Sequence, residues 1–248
     1  MHDNRSFPTH WSNKNNVNWS FPIVNWYVKL NFNKRMEEVN MRRSEFEVMD
    51  AEETKQFLQE ESYGFLGTVG EDGWPELTPL NFVYHEGCIY FHGSKIGQKM
   101  NNMKREDRVT FAVAKEYAII PSYFLDPKLA CPATAYFKSV LIKGTAEIVE
   151  HAADKASALQ AFMSKLQPEG GYETIDAADP DYALQLKATG VVRIRISEMS
   201  SKYKFGQNLK EPRFTQITDG LQQRGNELDA ETVALMKAYC PHHKNQQE

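Results

Sequence analysis

Three short apolar runs in quick succession, divided by acidic turns that end in glycine, constrain this chain more than any other feature of its sequence. Gly64-Phe65-Leu66-Gly67-Thr68-Val69 stops at Glu71-Asp72-Gly73. An Asp-Gly step between two apolar runs is a strong hairpin signal, because both residues tolerate the turn's backbone geometry. The next run, residues 76–84, alternates enough to be a strand, and His85-Glu86-Gly87 turns it into Cys88-Ile89-Tyr90-Phe91-His92.

The pattern continues downstream. Residues 108–114 form a further strand, with Val109, Phe111 and Val113 on one face. Residues 135–149 read as one long strand bent near Gly144, and residues 191–196 as the last. Helices fit residues 96–103, 152–166 and 229–239. Another starts at Asp50, an N-cap with Glu53 as its reciprocal partner three residues on. Pro121, Pro127 and Pro132 mark an irregular stretch between strands. Many short strands joined by tight turns, with helices between some of them, predict a mainly β fold: a closed antiparallel barrel with peripheral helices.

Composition excludes several functions. The net charge of −4 lacks the basic face that nucleic-acid binding requires. No apolar run approaches the ~20 residues of a membrane helix. Cys88, Cys131 and Cys240 are odd in number and far apart, which suits neither a disulfide framework nor a metal site and fits a reducing cytoplasm. Residues 1–40, rich in Asn and carrying Trp11, Trp19 and Trp26, read as an extension, either untethered or laid on the barrel as an edge strand or cover. The regular pattern begins at Met41-Arg42-Arg43, a candidate start of translation, and residues 1–5 lead into no secretory signal. The barrel domain is placed at residues 41–210 and a helical tail at 211–248.

Two constellations carry candidate chemistry. In Tyr90-Phe91-His92-Gly93-Ser94-Lys95-Ile96-Gly97-Gln98-Lys99 a strand ends in a small-residue loop and enters a helix. Free backbone N–H groups, the positive end of the helix dipole, the Ser94 hydroxyl and Lys99 are the ingredients of a monophosphate pocket. The plain alternative is an ordinary capped helix. The second is Thr78-Pro79-Leu80-Asn81-Phe82, where a proline without an N–H places the strand at an edge or bulge. Backbone groups there are free to meet a flat heterocycle, or the segment is simply barrel wall.

These segments, with Asp72-Gly73-x-Pro75 and Gly97-x-Lys99, resemble the opening of the pyridoxamine-phosphate-oxidase-like FMN-binding proteins, nearest the nitroimidazole-resistance (nitroreductase-like) branch. Residues 136–146 (Tyr136-Phe137-Lys138-Ser139-Val140 to Ala146), 166–172 and 202–208 continue the likeness, which covers residues 41 to about 209. The resemblance implies a six-stranded split barrel and a homodimer with FMN at the subunit interface. By position, Thr78, Pro79, Leu80 and Asn81 would line the flavin ring. His92, Ser94 and Lys99 would approach the ribityl chain and phosphate. Lys138 and Ser139 would reach the site from the twin chain, and Lys204, Gln207 and Asn208 would close over it. Relatives often carry a basic residue where this chain has Gln98, so phosphate binding would rest on Lys99, amides and hydroxyls, with weaker FMN retention. The Arg-x-x-x-Leu-Lys run of true pyridoxamine-phosphate oxidases is missing from residues 78–84, which argues against that substrate.

The resemblance thus implies an FMN-dependent oxidoreductase acting on a small electron-poor molecule, such as a nitroaromatic. Its rivals are a non-catalytic flavin store or sensor, and a barrel holding haem or deazaflavin. His92 is the candidate catalytic group, since an imidazole near a flavin can tune its potential or pass a proton; otherwise it is a satisfied strand-end histidine. Cys240-Pro241-His242-His243 reads as a polar tail rather than metal ligands. Arg193 and Arg195 read as solvated or interface charges sharing a face, and Tyr117 and Tyr123 as packing residues.

Overall fold

The computed structural model of the protein describes residues 43–48 and 50–241; the extension over residues 1–40 lies outside them, as do His242 and His243. Among these residues seven strands form one antiparallel sheet: β1 (Tyr63–Val69), β2 (Pro75–Asn81), β3 (Val83–His85), β4 (Cys88–Gly93), β5 (Arg108–Ile120), β6 (Thr134–Ile148) and β7 (Gly190–Lys204). Their order across the sheet is β2-β1-β5-β6-β7-β4-β3. Among the described residues six α-helices accompany it: α1 (Ala51–Glu60), α2 (Gln98–Arg105), α3 (Ala152–Leu166), α4 (Pro180–Ala188), α5 (Glu211–Arg224) and α6 (Asp229–Tyr239).

Seven strands stand where six were expected because the run over residues 76–84 is broken at Phe82. That side chain is fully buried and packs edge-on against Phe111, 5.1 Å between ring centres. The Phe82 N–H donates to the Ser62 carbonyl at 3.0 Å instead of joining a ladder. Before the break β2 pairs with β1; after it β3 pairs with β4. One segment therefore lies at both ends of the strand order, and this curls the sheet into a split barrel.

The interior is filled by alternate residues of each strand, among them Leu66, Ile89, Phe91, Phe111, Val113, Val140, Ile142, Val192 and Ile194. The hairpin from β1 to β2 turns at Gly73, whose φ of +83° an L side chain rarely adopts. Asp50 caps α1 as expected, accepting from the Glu52 N–H at 2.8 Å and more weakly from that of Glu53 at 3.4 Å. The bend expected near Gly144 is a register shift between Lys143 and Gly144 in the β6–β7 ladder.

Both C-terminal helices pack into the barrel's own core through Phe214, Ile217, Leu221, Val233 and Met236. Cys240 joins them at 2% exposure, so it is a core residue and not part of a polar tail. Tyr117 is buried as expected, whereas Tyr123 is 66% exposed and packs only edge-on to Phe124. Among the described residues no helix is long and apolar enough to cross a membrane.

Candidate functional site

Among the described residues the strand order leaves β2 with a partner on one side only, so its other edge carries backbone N–H and C=O groups that meet no strand there. The start of α2 lies beside that strand. Gln98 Nε2 and Asn102 Nδ2 each donate to the Glu76 carboxylate at 2.7 Å. The two constellations read from the sequence are therefore neighbours in the fold.

The first turn of α2 is open to an anion. Gly97 occupies the N-cap with φ +121° and offers no side-chain cap. The N–H groups of Gln98, Lys99 and Met100 meet no acceptor among the described residues. Lys99 is half-buried and forms no ion pair or hydrogen bond among those residues. The Ser94 hydroxyl accepts from the Ile96 N–H at 3.2 Å and keeps its own proton to donate. Lys95 turns away and donates to the Lys187 carbonyl. Uncompensated N–H groups, the helix dipole and one free ammonium suit a phosphate.

Along β2 the four expected ring-lining residues alternate. Thr78 lies opposite Leu66 and Leu80 packs against the core, so both point inward. Pro79 lies opposite Phe65 and points out, as does Asn81. Asn81 donates through Nδ2 to the Ser62 carbonyl at 3.1 Å, leaving its amide oxygen available.

His92 is the last residue but one of β4, its ring edge-on to Phe162 of α3, 4.7 Å between centres. Burial there lowers its pKa below the ordinary histidine value, because the charged imidazolium loses solvent. At neutral pH it offers one N–H and one lone pair rather than a positive charge.

Lys138 and Ser139 do not share a face, since neighbours on a strand point to opposite sides. The Lys138 ammonium lies over the rings of Tyr203 and Tyr117, at 5.0 and 5.7 Å from their centres. Ser139 lies between Ala114 and Lys202 on the outer face and donates weakly to the Lys202 carbonyl at 3.4 Å. Lys204 donates to the Thr134 hydroxyl. Gln207 folds back onto its own backbone through the Tyr203 carbonyl and Phe205 N–H, both at 2.7 Å, and Asn208 is exposed. Arg193 and Arg195 both pair with Glu147, as structural charges do.

Sequence reasoning missed Glu76 and Asn102. An acid on an alternating strand gives no signal of its own, and Asn102, 3% exposed, reads as a surface position on a polar helix.

The family model for pyridoxamine 5'-phosphate oxidase matches residues 50–203. No curated protein matches the chain. Among solved structures, a Bacteroides thetaiotaomicron protein named for 5-nitroimidazole antibiotic resistance is 17% identical, covering 63% of this chain and 85% of its own, with a TM-score of 0.51. The flavocytochrome Anf3 from Azotobacter vinelandii is 24% identical over 68% of this chain and 75% of its own, at 0.55. An FAD and haem binding protein from Mycobacterium smegmatis is 16% identical over 64% and 73%, at 0.51. At these identities the likeness is one of fold. The family match runs from the N-cap of α1 to the last residue but one of β7, and on that span the chain belongs to the pyridoxamine 5'-phosphate oxidase family.

Proposed function

We propose that this chain is a flavin-dependent oxidoreductase of the nitroreductase-like branch, holding FMN and acting as a cytoplasmic homodimer on a small electron-poor molecule such as a nitroaromatic. The observation that carries this reading is the uncapped start of α2, whose Lys99 has no partner among the described residues, set beside β2, which pairs with a strand on one side only among them. A phosphate fits the first and the polar rim of a flat heterocycle fits the second. The fold likeness to proteins named for nitroimidazole resistance, flavocytochrome and FAD with haem agrees with it.

Bound flavin would supply the two-electron chemistry, while the protein supplies position, dryness and electrostatics. Lys99 and the α2 amides would hold the phosphate. The backbone of residues 78–81 and the Asn81 amide would hold the ring edge. His92, neutral at the root of the loop, is the nearby group able to take or give a proton.

The outer face of the sheet supports the homodimer. Phe65 (42% exposed), Leu77 (71%) and Leu141 (45%) form an apolar face with Pro79 and Ala112. A second copy laid there would bring its Ser139 towards this chain's β2; Lys138, on the inner face, would not follow.

The test is titration with FMN and riboflavin, followed by quenching of flavin fluorescence. Lys99→Met is expected to weaken FMN about tenfold or more, in line with loss of one charge-assisted phosphate contact, and to leave riboflavin unchanged. Equal FMN affinity in both chains removes the cradle from the reading. Repeated turnover of a nitroaromatic with a nicotinamide donor separates an enzyme from a flavin store, and the absorbance spectrum separates flavin from haem or deazaflavin.

A further inference from the structure

A carboxylate borders the first turn of α2, which otherwise suits an anion. Glu76 reaches from β2 to α2, and its two oxygens accept from two neutral amides, Gln98 Nε2 and Asn102 Nδ2, each at 2.7 Å. No ammonium or guanidinium pairs with it among the described residues. Its position is built rather than incidental. Asn102 is 3% exposed, donates also to the Thr68 hydroxyl at 3.1 Å, and accepts from Arg105 at 3.3 Å. Arg105 in turn holds the Val69 carbonyl at 2.6 Å. Asp72 shares this corner: a Cβ placed on Gly70 would meet Glu76 Oε1 at 2.6 Å and Asp72 Oδ1 at 2.8 Å. Lys95 brings no relief, because its ammonium is turned to the carbonyl of Lys187. Lys99 is left as the cation of the first turn, on the residue next to the one that holds Glu76.

We infer that Glu76 is a specificity-determining residue that sets the phosphate charge this cradle tolerates, penalising a doubly charged monoester. The inference rests on the flavin reading above and concerns the same site. Gln98, the first residue of α2, is occupied by this carboxylate and is not a free phosphate ligand. A phosphomonoester carries about −1.5 to −2 charges near neutral pH, and a fixed carboxylate beside the turn that holds it repels that charge, at a cost of roughly tenfold in affinity. Riboflavin, which has no phosphate, escapes that cost. The chain is therefore expected to favour FMN over riboflavin by only a few-fold.

The experiment measures dissociation constants of FMN and riboflavin for the full chain, for Glu76→Gln and for Glu76→Asp. Glutamine matches the shape and keeps one acceptor for α2 while removing the charge; aspartate keeps the charge. Glu76→Gln is expected to tighten FMN about tenfold and leave riboflavin nearly unmoved. Glu76→Asp is expected to keep the parent's ratio. An unmoved ratio in Glu76→Gln, or an equal change in both variants, would show that the carboxylate only latches α2. In that case both flavins still bind and the flavin reading survives. If no chain binds either flavin, both readings fall together.

Discussion

At the scale of residues, three lysines do work that their sequence positions conceal. Lys165 donates to the carbonyls of Leu58 and Glu61, where α1 ends, and to that of Phe82 at the strand break. Lys155, 4% exposed, donates to Leu186 and Thr189 at 3.1 and 3.2 Å, where α4 ends. Lys95 caps the same helix through Lys187. Cations are favoured at the carbonyl-rich ends of helices. Lysine is almost never buried without a partner, and nothing in the sequence points to these carbonyl partners. Burial lowers the Lys165 pKa to about 8. Between that value and the ordinary ~10.4, the unfolded chain binds a proton that the folded chain does not. The contribution of Lys165 to stability therefore rises with pH across this window and is lost as pH falls through about 8. Melting temperatures of the parent and Lys165→Arg, whose guanidinium stays charged, should diverge in the parent's favour from about pH 8 to about pH 10. A constant difference would mean that the ammonium is well solvated.

At the scale of elements, sequence served best where a signal is local. The helix read at residues 152–166 is α3 to the residue, that at 229–239 is α6, and the Asp72-Gly73 hairpin is where it should be. The helices α4 and α5 escaped notice, although each has a proline in its first turn, α4 has Asp179 as its cap, and α5 ends at Gly225 in the left-handed region. Weak amphipathic patterning in mixed sequence outweighed those caps. The break at Phe82 escaped for another reason. Phe82-Val83-Tyr84 reads as an apolar continuation of the same run, and only the tertiary demand for a side chain inside the barrel separates β2 from β3. At Gly144 the approach of strands is closer than any side chain allows, since a Cβ there would collide with the Arg195 carbonyl and crowd Ile194. Gly144→Ala is expected to destabilise by about 1–3 kcal/mol, as overpacking generally does. Urea unfolding measures it, and an unchanged midpoint would show that the bulge yields freely.

At the scale of the whole molecule, the strand, loop and helix start over residues 90–99 were legible because they are contiguous in sequence. Their juxtaposition with β2, and the carboxylate between them, were not, because they arise from sheet order. Nor was the division of Lys138 from Ser139 drawn out, although alternation along a strand implies it. The outer face is an arrangement of the same kind, made by β1, β2, β5 and β6 together. Leu141 is exposed on it, so Leu141→Asp should leave the fold intact while setting a buried charge against a second copy. Light scattering should show the parent at twice the chain mass and the variant at the chain mass, with flavin affinity reduced. A parent that remains a single chain at micromolar concentration would remove the dimer.

The run from Pro75 to His85 works as a drawstring: its first half hems one margin of the sheet and its second half the other. Slack at either margin must pass through Phe82, so the wall offered to a ligand cannot loosen while the cylinder stays shut. Whatever settles against residues 78–81 therefore tightens the entire cylinder, and its grip should register as added resistance to global unfolding rather than as the quieting of one loop.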